Sequence, residues 1–237
     1  RWLDQSRIGP ILTGDKSDLG DGPPVTAMLI QNTNPMVISP EQALVHKGFA
    51  RDDLFVCVHE QFMTETAYMA DIVLPATTFV EHDDIYQGGG HSHIIPGLKI
   101  IEPVGQSRAN HFVICELAKR LGAEHRGFHM SEREIIDEML KVSGWPDLET
   151  LDAAHWHDCI GDFETQHFAN GFGWPDGKFR FKPDWEAMGP RGHELPDLPD
   201  HWAATNGTDD ERPFRLVTPP ARNFLNSSFN NTPTSVK

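Results

Sequence analysis

The segment from Leu54 to Pro75 constrains the chain more than any other. Leu54-Phe55-Val56-Cys57-Val58 is an apolar run that ends in His59-Glu60. A polar turn with Thr64-Glu65-Thr66-Ala67 follows, and Ile72-Val73-Leu74 is a second apolar run closed by Pro75. Short β-branched runs joined by a brief helical stretch read as strand, helix and strand. Polar groups then collect past the carboxyl end of the first strand, where open parallel sheets bind ligands.

An earlier strand extends this unit. Val25 to Gln31 is a buried-type run entered through Gly22-Pro23-Pro24, and it leads into Asn32-Thr33-Asn34-Pro35. Ser39, Pro40 and Gln42 have the spacing of a helix start with a capping box, and Gly48 is placed to stop that helix. Strand, helix, strand, helix, strand with short links predicts an α/β fold with a mainly parallel sheet. Beyond Pro75 turn formers dominate to about Gln106. Asn110 is then placed to cap a helix carrying Val113, Leu117 and Leu121, which Gly122 ends. Ser131 and Glu134 form a second capping box, opening a helix to about Val142. Residues 171–212 are rich in Gly, Pro, Asp and Trp and read as an irregular connector. Phe214 to Thr218 begins a fresh strand.

Composition narrows the function classes. With 20 Lys and Arg against 35 Asp and Glu, the net charge is −15. Such a chain repels nucleic acid and anionic membranes unless it carries a basic patch, and none is evident. No apolar run approaches the ~20 residues of a membrane-spanning helix. Cys57, Cys115 and Cys159 are odd in number and far apart, so neither a disulfide framework nor a CxxC metal site is suggested. The chain begins at Arg1 without Met and reads as a piece of a longer polypeptide.

Individual sites carry competing readings. Glu60, beside His59, can accept two donors from a guanine or a ribose, or it is an ordinary solvated loop acid. The loop at Asn34-Pro35 can present N–H groups to phosphate, or it is a common turn. His91 and His93 behind Gly88-Gly89-Gly90, and His155-Trp156-His157-Asp158-Cys159, contain metal-ligating types. Neither matches a known ligand spacing, and polar loop or packing roles fit them better. No phosphate loop, Rossmann glycine fingerprint or nucleophile motif is present.

The run from Ala27 to Gly122 resembles the third domain of the molybdopterin oxidoreductases that carry bis-(molybdopterin guanine dinucleotide), the dimethyl sulfoxide reductase family. The resemblance rests on Asn32-Thr33-Asn34-Pro35, Thr64-Glu65-Thr66-Ala67, Ala70-Asp71-Ile72-Val73-Leu74-Pro75-Ala76-Thr77-Thr78 and Val80-Glu81. The tail from Arg215 through Pro219, Arg222 and Asn223 to Ser228 resembles the start of that family's last domain, a β-barrel over the cofactor. This implies a Rossmann-like domain over residues 1–205, with flanking helices and an irregular extension, and the first barrel strand within residues 206–237. It also implies a molybdenum or tungsten oxidoreductase as parent, with this fragment inactive alone.

Carried over by position, Asn32, Asn34 and Thr64 sit beside the nucleotide. His59 and Glu60 take the guanosine-recognition position, and His82 stands where a Lys is common. Pro219, Arg222, Asn223 and Asn226 approach the pterin. Two departures stand out: Glu60 replaces an Asp, and Glu81-His82-Asp83-Asp84 replaces a Glu-Lys-Asp/Glu-Gly turn. The metal ligand and any iron–sulfur cluster would lie in missing N-terminal or C-terminal domains, with a small-molecule substrate, an electron-transfer partner left open, and the cytoplasm as default location. The rival readings are a nucleotide-binding module without redox chemistry, and an interaction domain docking through Trp174, Trp185 and Trp202.

Overall fold

The computed structural model describes residues 3–188, 192, 195–198, 200, 207–223, 225–230 and 232–235. Trp202, Phe224 and the boundary at Thr205 and Asn206 lie outside them. The chain divides into one unit of Arg1–Cys159 with Asn223–Lys237 and a second unit of Ile160–Arg222.

In the first unit, two short helices, α1 (Ile8–Leu12) and α2 (Lys16–Leu19), precede the strand β1 (Ala27–Gln31). Next come α3 (Pro35–Ile38), α4 (Gln42–Phe49), β2 (Phe55–Glu60), α5 (Glu65–Tyr68) and β3 (Ile72–Pro75). The three strands form a parallel sheet in the order β1-β2-β3, with Leu29 opposite Cys57 and Cys57 opposite Ile72. Alternation along a strand sends neighbours to opposite faces. Met28, Ile30, Val56, Val58 and Val73 therefore share one face, and they pack with Leu12 of α1, Met36 of α3, Val45 and Phe49 of α4 and Ala67 of α5.

The parallel sheet and all three expected strands are present, but the first crossover differs from the sequence reading. Pro40 holds Ser39 extended (φ −78°, ψ 145°), as the residue before proline prefers. The helix splits there. Asn34 precedes α3 with Pro35 at its first position, and α4 starts only at Gln42. The capping box does not form; the Gln42 amide donates to the Ser39 carbonyl at 2.7 Å instead. Gly48 lies inside α4 rather than after it. Its role is close packing, because a Cβ there would fall 2.5 Å from the Leu12 Cβ of α1.

After β3 the chain makes a hairpin, β4 (Asp84–Gln87) with β5 (His93–Gly97), and the short strand β6 (His157–Asp158) pairs with β5. The Gly88–Gly90 run, which has no phosphate-loop context, is the turn of that hairpin. Between β5 and β6 lie α6 (Asn110–Leu121), α7 (Glu132–Val142) and α8 (Leu148–Ala154). The Ser131–Glu134 capping box forms as expected, and Gly122 ends α6 in the left-handed region (φ 67°). Asn110 is the first residue of α6 and not its cap; Ala109 precedes the helix, which receives no side-chain cap. A second apolar core joins Ile94 of β5, Ile136 and Leu140 of α7 and Leu148 and Leu151 of α8.

The second unit holds α9 (Phe163–Gln166) and α10 (Trp185–Met188) among turns. Phe168 stacks on Phe172 at 4.6 Å, and Arg180 lies over the Trp174 ring at 5.2 Å. Residues 213–221 carry no strand pairing, and Phe214, Leu216 and Val217 are exposed. Among the described residues the strand expected at Phe214–Thr218 has no partner strand, and an unpaired strand has no ladder to hold it. Among the described residues no helix is long and apolar enough to cross a membrane.

Candidate functional site

The loops at the carboxyl ends of the parallel strands are held by three small networks. In the first, the buried Asn34 accepts at Oδ1 from the Thr66 hydroxyl (2.7 Å) and the Thr66 N–H (3.2 Å). Its amide nitrogen donates to Glu65 Oε2 at 2.8 Å, and this bond pulls the Glu65 carboxyl below its usual pKa. Thr66 Oγ1 in turn accepts from the Met36 N–H. The Asn-Thr-Asn-Pro and Thr-Glu-Thr-Ala motifs, far apart in sequence, are thus joined through the buried Asn34 and Thr66, with Thr64 capping α5 through a bond from the Ala67 N–H.

The second network centres on His59, which is only 1% exposed. Its Nε2 faces the Arg108 carbonyl at 3.0 Å and its Nδ1 faces the Gln31 amide at 2.9 Å. A carbonyl only accepts, so the bonding places the ring proton on Nε2 and lets Gln31 donate to Nδ1. The Arg108 carbonyl also accepts from the Thr77 N–H, and the Arg108 N–H donates to the Pro75 carbonyl. This bridge extends the sheet past β3. His59 therefore positions the segment before α6 and keeps both ring nitrogens engaged inside the protein. Glu60, the next residue, is partly exposed and its Oε1 accepts from the Gln61 N–H at 2.7 Å.

The third network is the turn after β3. Buried Glu81 accepts from the Thr78 N–H and hydroxyl with one oxygen and from the Val104 N–H with the other. These bonds, led by the one from the Thr78 backbone, hold its pKa below the usual carboxylate range. His82 follows, with Nδ1 2.8 Å from the Thr77 hydroxyl and Nε2 3.8 Å from Asp84 Oδ2.

Between these networks lies a cleft of about 320 Å³. Asn32, Gln61 and Thr77 line it, one from the end of each strand, together with His82, Tyr86 and Asn110. Asn32 adopts the left-handed conformation (φ 56°), which Asn tolerates better than most residues. The start of α6, whose first N–H groups lack a side-chain cap, forms another wall. Asp83, Asp84 and Glu132 add negative charge, part of it answered by Arg133, which pairs with Asp83 at 3.5 Å and also with Asp152. The Tyr86 hydroxyl oxygen is buried without a hydrogen-bond partner, and burial, then Asp84, pushes the phenol pKa up. The cleft thus offers amides and helix N–H groups beside acids, a mixed set suited to a polar group of nucleoside size.

The structure brings some of the candidate residues together and leaves others apart. Asn32 and His82 line the cleft; Asn34, His59 and Thr64 support its walls; Glu60 stands at the end of β2. Pro219 and Arg222 fall in the second unit and are exposed. Asn226 lies in an exposed turn bridged by Leu225 and Ser228, and Asn223 is exposed ahead of it. Sequence reasoning missed Gln61, Tyr86 and Asn110. Gln61 follows the singled-out Glu60 directly, so its place past the strand end was a usable signal; Tyr86 had none. The two His-bearing segments are neighbours through the pairing of β5 with β6, and His93 packs against Trp156 at 5.0 Å. Among the described residues no group of three or more His, Cys, Asp or Glu is placed to hold a metal ion.

Comparison with known proteins bears on this geometry. Residues 18–120 match the family model described as molybdopterin oxidoreductase. The chain is 35% identical over 248 aligned residues to a probable oxidoreductase, YoaE, of Bacillus subtilis (strain 168), covering 100% of the chain and 34% of that protein. It is 28% identical to the trimethylamine-N-oxide reductase of Haemophilus influenzae, covering 89% of the chain and 28% of the reductase. Among solved structures, acetylene hydratase from Pelobacter acetylenicus superposes with a TM-score of 0.62 at 22% identity, over 84% of this chain and 26% of that one. At that identity the likeness is one of fold. The chain spans about a third of the length of these curated relatives.

Proposed function

We propose, from the match of residues 18–120 to the molybdopterin oxidoreductase model, that this chain is a cofactor-binding portion of a molybdenum- or tungsten-dependent oxidoreductase. The group it binds is the guanine dinucleotide arm of a molybdopterin cofactor. The observation that carries this reading is the cleft at the carboxyl ends of three parallel strands, lined by a residue from each strand end. Such strand ends are where open α/β sheets take nucleotides.

The residues fit a nucleotide better than a metal. Asn32, Gln61 and Asn110 supply amides, and the uncapped start of α6 supplies N–H groups to an anionic oxygen. In this reading Glu60, at the end of β2 beside Gln61, accepts from a base or a ribose. His59 and Asn34 act by holding the loops, and His82 takes the place of a cation. In the same reading residues 206–237 open a barrel domain, with Pro219, Arg222, Asn223 and Asn226 toward the pterin. When bound, the cofactor supplies two-electron or oxygen-atom chemistry; the chain's own residues bind and orient it. The metal ligand, any iron–sulfur cluster, the substrate and the electron-transfer partner belong to other domains of the parent, and the fragment alone is inactive.

The test is the molybdenum and tungsten content of the full natural polypeptide, purified anaerobically from metal-replete cells. About one metal per chain, with occupancy lowered by Glu60→Ala in a protein that stays folded, supports the reading. A metal-free polypeptide that binds a guanine or adenine nucleotide tightly replaces it with a nucleotide-binding module. Loss of partner binding on Trp174 or Trp185 substitution, with no nucleotide affinity, replaces it with an interaction domain.

A further inference from the structure

The cleft at the strand ends carries an unbalanced charge. Asp83, Asp84 and Glu132 line it, and among the described residues no Lys or Arg does. Asp83 is answered from outside the cleft, by Arg133 of α7 and by the Lys99 N–H. Arg133 is shared with Asp152 of α8, so its charge is committed away from the cleft. An anionic ligand therefore meets two imidazoles, His82 and His111, as the side chains of the lining that can become cationic.

The two imidazoles are held differently. His111 Nε2 donates to the Met130 carbonyl at 2.8 Å, and the Cys115 sulfur lies against the same ring, 3.5 Å from Nε2 and 3.7 Å from Nδ1. That ring is tied to its own helix and to the segment after it. His82 Nδ1 stands 2.8 Å from the Thr77 hydroxyl, a group that serves either charge state: it donates to a bare nitrogen and accepts from a protonated one. Protonation of His82 therefore breaks no hydrogen bond. Its Nε2, 3.8 Å from Asp84 Oδ2, is beyond hydrogen-bond reach of that carboxylate and is left to a further acceptor in the cleft. Beside it, Glu81 is engaged by the Thr78 and Val104 N–H groups, and the Tyr86 phenol, pushed up by burial, stays neutral. Imidazoles change charge between pH 5 and 8, where carboxyls ordinarily do not.

We propose that His82 is the charge-bearing contact for an anionic oxygen of the cleft's ligand, a phosphate-bearing nucleotide, and that the site takes up a proton at His82 as it binds. The proposal rests on the reading of the cleft as a nucleotide site; it adds the residue that meets the phosphate and the charge state in which it does so. The imidazolium adds one positive charge to an acid-lined cleft and makes Nε2 a charge-assisted donor. When the ring is neutral, Asp84 stands uncompensated against the incoming phosphate. Binding and protonation are therefore linked, and each strengthens the other.

The experiment uses the full natural polypeptide, made in cells that do not synthesise the pterin. It measures binding of GDP, with guanosine as the uncharged probe, at about pH 6 and about pH 8 and one ionic strength. GDP binds about three- to tenfold more tightly at the lower pH, and guanosine binds equally at both. His82→Lys holds the low-pH affinity at the higher pH, and this fixed-charge variant also reports any titration of GDP itself. His82→Gln binds GDP at the lower pH as weakly as the wild type does at the higher. Wild-type GDP affinities within about twofold of each other overturn the proposal and leave the nucleotide site standing. A pH dependence retained in His82→Gln also overturns it and moves the proton to another group, with His111 next in the lining. If neither GDP nor guanosine binds the wild type or His82→Lys at either pH, the nucleotide reading of the cleft falls, and the proposal with it.

Discussion

Asn34 Oδ1 and the Thr66 hydroxyl stand 2.7 Å apart in a buried site, and through them the first strand's exit loop is fastened to the helix that follows the second strand. The bond explains why two short polar motifs flank the same sheet end. Each alone is an ordinary turn or cap; together they fix the spacing of two loops around one cleft. Replacing Thr66 by Val removes the hydroxyl and leaves the Met36 N–H without its acceptor. The expected cost is about 1–3 kcal/mol, read as a lower urea midpoint with an unchanged slope. Asn34→Leu falls in the same range, and the double variant costs less than the sum.

His59→Leu tests the second network. The Arg108 carbonyl keeps the Thr77 N–H but loses the imidazole, and the Gln31 amide is left unpaired. A loss of about 1–3 kcal/mol is expected, accompanied by faster hydrogen exchange at the Thr77 amide. Exchange at Thr77 unchanged from wild type would remove His59 from the role of holding that bridge.

Glu81 makes the turn after β3 sensitive to acid. Its folded pKa is depressed, mainly by the Thr78 and Val104 N–H groups. A depressed carboxyl contributes stability that is present above its unfolded pKa and is lost as pH falls through the folded value. Below about pH 5 the wild type therefore loses stability steeply, while Glu81→Gln, weaker at neutral pH, loses less over the same interval. Denaturation midpoints at pH 7 and pH 4 check this; parallel pH profiles would contradict it.

Gly48→Ala places a methyl 2.5 Å from the Leu12 Cβ between α1 and α4. Overpacking costs about 1–3 kcal/mol, partly offset by the ~1 kcal/mol that Ala gains over Gly in a helix. A net decrease in stability is expected, and Leu12→Ala does not recover it, because alanine keeps the Cβ that the new methyl meets. Thermal denaturation of the single and double variants decides it.

The three parallel strands were legible because each is a short apolar run bounded by turn residues, and their ends fall within two residues of the expected places. The α4 start was misread because Ser39, Pro40 and Gln42 have capping spacing, but Glu41 adopts the left-handed conformation (φ 55°, ψ 50°) and delays the helix to Gln42. Gly48 was read as a stop because sequence spacing does not reveal that α1 lies across it. The site was legible only in part. Asn32 and His82, read from a strand end and from motif wording, line the cleft, but the inward turn of His59 depends on Arg108, 49 residues away. Tyr86 enters the cleft through a hairpin whose pairing no local pattern announced.

The Arg108 carbonyl has a consequence for how the cleft moves. It is the acceptor for both Thr77 and His59, and the residues immediately after it, Ala109 to His111, form a wall of the cleft at the start of α6. The wall and the sheet edge are therefore one cooperative unit. A ligand that tightens the wall slows exchange at Thr77, and an opening wide enough to release it unzips the edge of the sheet.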